Sequence, residues 1–452
     1  MTSDKVTLKN VKDIDEINVV FDYPPSNIIV ITGKNGAGKT TLVKAFHFFK
    51  DPNIYSKSSG LNSVRAGSKI EFEIEGFSPF SLYYNHKLQS LDTKDELPPE
   101  DAILAELPIP YGERFSQFSM VAGNDSEIRA NIAASDYSRA DELSRFLESI
   151  YANNRFVDLQ ATKVNKSTYY FLLREGDFYI REDHFSSGEY FLVQIYRLIT
   201  SGAKLILIDE VDVAIDAAAQ VKLYDAIKSL LDEYGVRLIL ITHSLAFMST
   251  VEDGGLYYLE RNSDQVSLEQ RSYGYIKSDL YGFKGFERYI ITEDPVLEGF
   301  IKFIIIKFGI VPFYQYQIIG LGGVSQLKTL LEKNDLTTIF SDPQNIVCIV
   351  DGDSLHEFTS KYNGPTKVFS IPVEDIEKHI YRNRDQLLPE VGLPSYQESG
   401  DEKKASKSYW KYLTVDRQMS QNCLYELVLT ANSERIDALV SEIRGFLINS
   451  DE

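Results

Sequence analysis

The sequence predicts an α/β protein, with two successive parallel sheets flanked by helices, and three observations carry that prediction. Gly33-Lys34-Asn35-Gly36-Ala37-Gly38-Lys39-Thr40 fills the pattern GxxxxGK[ST], with an apolar strand before it (Ile28 to Ile31) and an apolar-periodic helix behind it (Leu42, Val43, Phe46, Phe49). Lys204-Leu-Ile-Leu-Ile-Asp209-Glu210 is an unbroken apolar run ending in carboxylates, the mark of a strand buried on both faces. Beyond residue 286, short apolar runs alternate with helical stretches, as in a parallel sheet built from βα units.

Composition sets the frame. The 452 residues suffice for two or three domains with proper cores, and 43% apolar and 12% aromatic content belong to a folded chain. Met-Thr-Ser-Asp-Lys-Val at the start carries no apolar signal region. The longest apolar run, Phe300 to Val311, is interrupted by Lys302 and Lys307 and reads as a buried helix rather than a membrane span. The two cysteines, Cys348 and Cys423, are too few for a disulfide scaffold or a cysteine zinc cluster. A cytoplasmic protein with no membrane partner is expected. A net charge of −19 argues against indiscriminate binding to nucleic acid, although carboxylates that hold Mg²⁺ invert the local sign of a site. The run Lys403, Lys404, Lys407 and Lys411 reads as a solvated helix face.

The glycine-rich loop predicts nucleoside triphosphate binding. Successive backbone N–H groups converge on a phosphate, and the following helix N-terminus is aimed at the same anion. Asn35, Gly36, Ala37, Gly38, Lys39, Thr40 and Thr41 are the candidate contacts, with Lys39 reaching the β- and γ-phosphates and Thr40 ligating Mg²⁺. Asp209, at a strand end where an open parallel sheet has its ligand crevice, is the second Mg²⁺ candidate. Glu210 is the candidate general base that polarises the attacking water.

Between these two motifs lies Phe185-Ser186-Ser187-Gly188-Glu189, followed by the helical run Tyr190 to Leu198, and this resembles the signature motif of ABC ATPases. The resemblance implies a head-to-tail homodimer with ATP sandwiched at the interface, Ser187 and Gly188 meeting the γ-phosphate held by the opposite subunit. Asp216 matches the family's following loop. His243, at the tip of Arg237 to Thr242, matches the switch histidine, and Gln117, in Arg114-Phe-Ser-Gln-Phe, the lid-loop glutamine. About 145 residues separate phosphate loop and signature, too few for long heptad arms. Lys69 to Ile74 and Phe80 to Tyr84 alternate and predict a small antiparallel sheet, and Asp92 to Pro99 a surface loop. Residues 1–272 form the predicted ATPase domain.

After the hairpin pattern Leu256 to Glu260 and Gln265 to Glu269, residues 273–286 read as a linker. Strands are then predicted at Tyr289 to Thr292, ending in Glu293-Asp294; at Tyr316 to Ile319, ending in Gly320-Leu-Gly-Gly323; at Ile346 to Val350, ending in Asp351-Gly352-Asp353; and at Lys367 to Ile371, ending near Glu374, Asp375 and Glu377. Carboxylates at the C-terminal ends of parallel strands share one crevice, so Glu293, Asp351, Asp353 and Glu377 are expected to form an all-oxygen site suited to Mg²⁺ or Mn²⁺.

Residues 287–384 resemble a Toprim domain: Glu293 matches the family glutamate after the first strand, and Asp351 and Asp353 its DxD motif. An ABC-type P-loop ATPase domain followed by Toprim resembles the OLD (overcoming lysogenization defect) family, where Glu377 occupies the place of a further acidic ligand. The resemblance implies a metal-dependent DNA endonuclease, with DNA and a second copy of the chain as partners. It also implies antiphage defence, in retron-associated cases beside a reverse transcriptase with its RNA and DNA, and is compatible with higher oligomers. The sequence departs from the family after the first strand, where Asp294 replaces a glycine and Leu297 an acid, with Glu298 next to it. The family's later lysine has only Lys403, Lys404 and Lys407 as candidates. Rival readings are an ATP-driven assembly factor that binds nucleic acid without cutting, and a repair ATPase that loads other enzymes. Residues 385–452 are a predicted helical C-terminus, periodic at Leu424, Leu427 and Val428 and again at Ile436, Leu439, Val440 and Ile443.

Overall fold

The computed structural model describes residues 3–59, 63–107, 117–174, 178–262, 265–282, 285–391 and 401–448. The chain divides into two compact units, Met1–Tyr273 and Gly274–Glu452. No helix among the described residues is long and apolar enough to cross a membrane.

The first unit is organised by one mixed sheet of 11 strands. Its parallel part runs in the order Leu256–Asn262, Ile28–Gly33, Arg237–Ile241, Leu205–Ile208, Ile103–Glu106. The middle three strands are buried along their whole length, which is why their sequences are nearly continuous apolar runs rather than alternating. Because these three are parallel neighbours, whatever follows each of them emerges along the same edge of the sheet. The phosphate loop, His243 and the Asp209-Glu210 pair are brought together in this way.

On the other side the sheet continues through Gln265–Gln270 into an antiparallel wing, Ile14–Asp22, Ser3–Val11, Val64–Glu73, Phe80–Asn85 and Ser90–Asp92. Lys69 to Ile74 and Phe80 to Tyr84 pair antiparallel, as their alternation suggested, and do so as an extension of the main sheet. Their inward faces are closed by a ring cluster, with Phe72 stacked on Phe80 at 4.9 Å and edge-on to Phe46 of the phosphate-loop helix at 5.4 Å. A separate antiparallel sheet of four strands does exist, in the order Tyr179–Arg181, Ser167–Leu173, Leu159–Val164, Ser138–Arg139. The helix Ala217–Tyr234 is capped by Asp216, which accepts from the backbone N–H groups of Ala218 and Ala219, and ends at Gly235 in a left-handed conformation.

The second unit carries a parallel sheet of four strands in the order Tyr316–Gly320, Arg288–Thr292, Ile346–Val350, Lys367–Ser370. One face packs on the helix Pro295–Lys307 and the C-terminal helices Glu402–Lys411, Gln421–Ala431 and Ser433–Leu447, burying Phe300, Ile304, Trp410, Tyr425, Val428 and Leu439. The other face is covered by Val324–Thr337 and Leu355–Lys361 through Leu327, Leu331 and Phe358. The stretch expected as a linker, 273–286, contains the helix Tyr273–Tyr281 with Ile276 buried; residues 283–284 lie outside the described residues. The spacing of Tyr273 and Ile276 places them one helical turn apart, a pattern that outweighs the helix-weakening Gly274.

Candidate functional site

The phosphate loop leaves its strand at Gly33 and enters the helix Lys39–His47 through Gly38, whose φ of 111° is open to glycine alone at low cost. A cleft along this edge of the sheet is lined by Asn35, Gly36, Gly38, Lys39, Thr40, Thr41, Asp209, Glu210 and His243. Nine residues chosen from three separate stretches of sequence thus meet in one place. Thr40 Oγ1 donates to Asp209 Oδ2 at 3.0 Å, so the two expected Mg²⁺ ligands are already in contact. Lys39 Nζ donates to the carbonyls of Gly33 and Lys34 at 2.7 and 3.0 Å, which holds its ammonium inside the curl of the loop. The donor set is oxygen-rich, with Thr40 Oγ1 and the carboxylates of Asp209 and Glu210, which suits Mg²⁺ bound to a triphosphate.

Burial shapes the charges. Asp209 is 2% exposed, and desolvation, reinforced by the neighbouring Glu210, lifts its carboxyl to about 6. Desolvation lowers the Lys39 ammonium, opposed by Asp209 and Glu210. His243 is pushed below its ordinary value by burial and then by the positive charge of Lys39, so its ring is neutral at pH 7. Glu210 follows its strand with φ 53°, a left-handed conformation that costs a non-glycine residue about 1–3 kcal/mol and persists where surrounding structure enforces it.

The cleft includes residues that motif reading missed. Lys12, Asp13 and Ile14, from the turn of the first hairpin, and Arg261, from Leu256–Asn262, also line it. Arg261 clasps that turn, Nη1 to Asp13 Oδ2 at 2.7 Å and Nη2 to the Asp13 carbonyl at 2.8 Å. No spacing rule links positions 13 and 261; only the neighbouring strands bring them to the loop.

Other expected residues lie elsewhere. The Ala37 side chain packs into the core of the sheet, between the cleft-lining Gly36 and Gly38. Ser187 and Gly188 begin the helix Ser187–Ile199 and do not line this cleft. Ser186 is the capping residue: its hydroxyl accepts from Glu189 N–H, and Glu189 Oε2 accepts from Ser186 N–H at 2.8 Å. A side chain at Gly188 would place Cβ 2.7 Å from the Ala214 carbonyl, so only glycine allows this helix to start so close to the loop after Asp209-Glu210. Residues 114–116 lie outside the described residues, and Gln117 is placed only as the first residue of the helix Gln117–Gly123.

In the second unit Glu293 and Asp351 follow neighbouring parallel strands and meet: Glu293 Oε1 accepts the backbone N–H of Asp351 at 3.0 Å. Both are 8% exposed. Burial first, then the charge of Glu293 and other nearby acids, lifts the Asp351 carboxyl to about 9, and burial raises Glu293 as well. Gly352 is required between the two aspartates, because a Cβ there would lie 2.4 Å from the Val373 carbonyl.

The expected four-carboxylate cluster does not close. Asp353 Oδ2 pairs with Lys378 Nζ at 2.5 Å, and Glu377, lifted to about 7 chiefly by burial, has Lys407 and Lys403 opposing that shift. Among the described residues no group of three or more His, Cys, Asp or Glu side chains converges tightly enough to hold a metal ion. The small crevice beside Asp351 is lined instead by Asp294, Asp375 and Glu377. Glu293, Asp351, Asp353 and Glu377 thus supply the all-oxygen chemistry a hard cation prefers, with Asp353 turned onto a lysine. The physical reason is mutual repulsion, which internal ammonium groups relieve.

The departures noted in the sequence have local causes. Asp294 caps the helix Pro295–Lys307, accepting from Val296 N–H and Leu297 N–H, both at 3.0 Å. Leu297 is 1% exposed and packs in the core, where an acid would be buried without a partner. Glu298 Oε2 accepts from Gly320 N–H at 3.1 Å.

Residues 28–249 match the family model described as "AAA domain, putative AbiEii toxin, Type IV TA system". The chain is 26% identical over 254 residues to the methionine import ATP-binding protein MetN of Lactobacillus delbrueckii subsp. bulgaricus, covering 54% of this chain and 58% of that protein. It is 24% identical over 236 residues to the phosphonates import ATP-binding protein PhnC of Lactobacillus gasseri, covering 51% and 72%. A solved SMC head bound to the C-winged helix domain of ScpA superposes with a TM-score of 0.42 at 14% identity, over 60% of this chain and 97% of that one. The stretch from Ile28 to Ser249 is therefore an AAA-type P-loop ATPase domain with an ABC-ATPase-like α/β fold.

Proposed function

We propose that this chain binds and hydrolyses ATP with Mg²⁺ in its first unit and, in its second, is a Toprim-type, Mg²⁺- or Mn²⁺-dependent DNA endonuclease of the OLD kind. Its setting would be the cytoplasm, in antiphage defence. The ATPase part is supported by the cleft that gathers Lys39, Thr40, Asp209, Glu210 and His243. In this reading Lys39 binds phosphate, Glu210 holds the attacking water, and neutral His243 senses the γ-phosphate. Ser187, exposed at the start of its helix and outside the chain's own cleft, fits a head-to-tail homodimer in which it meets the opposite nucleotide, with buried Gly188 fixing the helix start behind it.

The observation that carries the nuclease reading is the meeting of Glu293 and Asp351 at adjacent parallel strand ends, both buried and both held above the usual carboxylate range. A cation held there would supply the charge that activates water and stabilises the departing oxygen. The chain's own part is to fix Glu293 against the Asp351 backbone and to release the proton that Asp351 retains at pH 7 when a cation is bound.

Plasmid nicking by highly purified protein tests the reading. Cleavage with Mg²⁺ or Mn²⁺ is expected, and loss in both Asp351→Ala and Asp353→Ala. A second reading, an ATP-driven nucleic-acid-binding or repair factor that does not cut, is favoured by buried Leu297 in place of an acid and by the Asp353–Lys378 pair. DNA-stimulated ATP hydrolysis with no nicking under either cation would establish it.

A further inference from the structure

Asp353 already carries a cation, and the chain supplies it. Lys378 Nζ lies 2.5 Å from Asp353 Oδ2, and the two side chains are only 16% and 35% exposed, so the pair is partly withdrawn from water. Ser354 Oγ lies against the other carboxylate oxygen at 3.4 Å. Lys378 stands one residue after Glu377 in the first turn of the helix Ile376–Arg382. Its backbone N–H serves the helix cap, donating to Asp375 Oδ1 at 2.9 Å, so the helix start does not depend on where the ammonium goes. The ammonium also faces the charges of Asp375 and Asp351.

A lysine is well suited to such a position. Its charge is compact, its four-carbon stem is flexible, and it binds carboxylate as a point charge rather than as a rigid fork. It neutralises one charge without supplying the several coordination positions a divalent ion offers to neighbouring oxygens. The carboxylates consequently remain apart while the pair is made, in line with the finding that no three of them converge.

We propose that Lys378 is an internal counter-ion that competes with a divalent cation for Asp353, so that cation uptake by the second unit requires the lysine to be displaced. This rests on the reading of Glu293, Asp351 and Asp353 as cation ligands. It assigns Lys378 a role outside the ligand set: it sets how readily the set is filled and contributes no ligand atom.

Mn²⁺ titration of the nucleotide-free full chain by calorimetry tests it, with wild type, Lys378→Met, Lys378→Arg and Asp351→Asn compared and thermal melts run on each. Lys378→Met should bind Mn²⁺ roughly fivefold more tightly than wild type, the weight of a partly exposed ion pair. Lys378→Arg, which keeps the charge, should stay near wild type, and Asp351→Asn should abolish the binding. Unchanged or weaker binding in Lys378→Met, or equal tightening in Lys378→Arg, with Asp351→Asn still abolishing uptake, overturns the counter-ion and leaves the ligand reading standing. No uptake by wild type or Lys378→Met, or uptake indifferent to Asp351→Asn, overturns both.

Discussion

Replacing Asp209 by asparagine should stabilise the nucleotide-free protein while removing its Mg²⁺-dependent ATP hydrolysis. The carboxyl is 2% exposed, and burial lifts it from 3.8 to about 6 despite the hydrogen bond from Thr40. At about 1.4 kcal/mol per tenfold change in proton affinity, the ionised side chain costs the folded state roughly 3 kcal/mol above pH 7. Asparagine keeps an oxygen for Thr40 and carries no charge. The pH dependence follows from the direction of the shift. Well below pH 3.8, folded and unfolded chains are both largely protonated at this site and the variant gains little. Between 3.8 and about 6 the folded chain holds a proton the unfolded chain has lost, so wild-type stability falls relative to the variant as pH rises. About half the difference should be present at pH 5 and all of it at pH 8, where it corresponds to roughly 6 °C in the melting temperature of the first unit. Thermal melts of both proteins at pH 4, 5 and 8, without nucleotide, read this directly. A variant less stable than wild type at pH 8, or a difference that does not change with pH, would refute the account of a strained, buried carboxylate awaiting its cation.

Other expectations concern the same machinery. Glu210→Gln should slow ATP turnover by about 10² or more while leaving a nucleotide-trapped dimer in size-exclusion chromatography, and unchanged turnover removes Glu210 from the mechanism. Gly188→Ala brings Cβ to 2.7 Å from the Ala214 carbonyl and 3.0 Å from Tyr151 Oη, so it should destabilise the first unit by about 1–3 kcal/mol in denaturant melts and weaken ATP-dependent dimerisation. Gly352→Ala meets the Val373 carbonyl at 2.4 Å; it should lower the melting temperature of the second unit and expose that unit to proteolysis.

Much of the site was legible because parallel sheets impose a rule. An apolar run buried on both faces names a central strand, and the residue after its last apolar position lies at the ligand edge. Asp209, Glu210 and His243 stand where that rule puts them, as do Glu293 and Asp351, while Lys39 was placed by the glycine-rich loop pattern that follows its strand. Side-chain orientation was not legible. Asp353 and Glu377 stand near the proper edge, but the choice between a shared crevice and a lysine depends on where the helices Ile376–Arg382 and Glu402–Lys411 bring Lys378, Lys403 and Lys407. Arg261 and Asp13 are far apart in sequence and follow no local pattern, so only strand neighbours reveal that they border the phosphate loop.

Strand and helix identity, the glycines where another backbone passes close, and the order of chemical groups along the sheet edge were set by the sequence itself, since each depends on local periodicity or on the absence of a Cβ. The alternation at Lys69 to Ile74 fixed a strand but not its sheet, because pairing depends on partners remote in the chain. Whether four acids gather or stand apart was decided only by tertiary structure: like charges repel, and packing determines which ammonium lies close enough to relieve them.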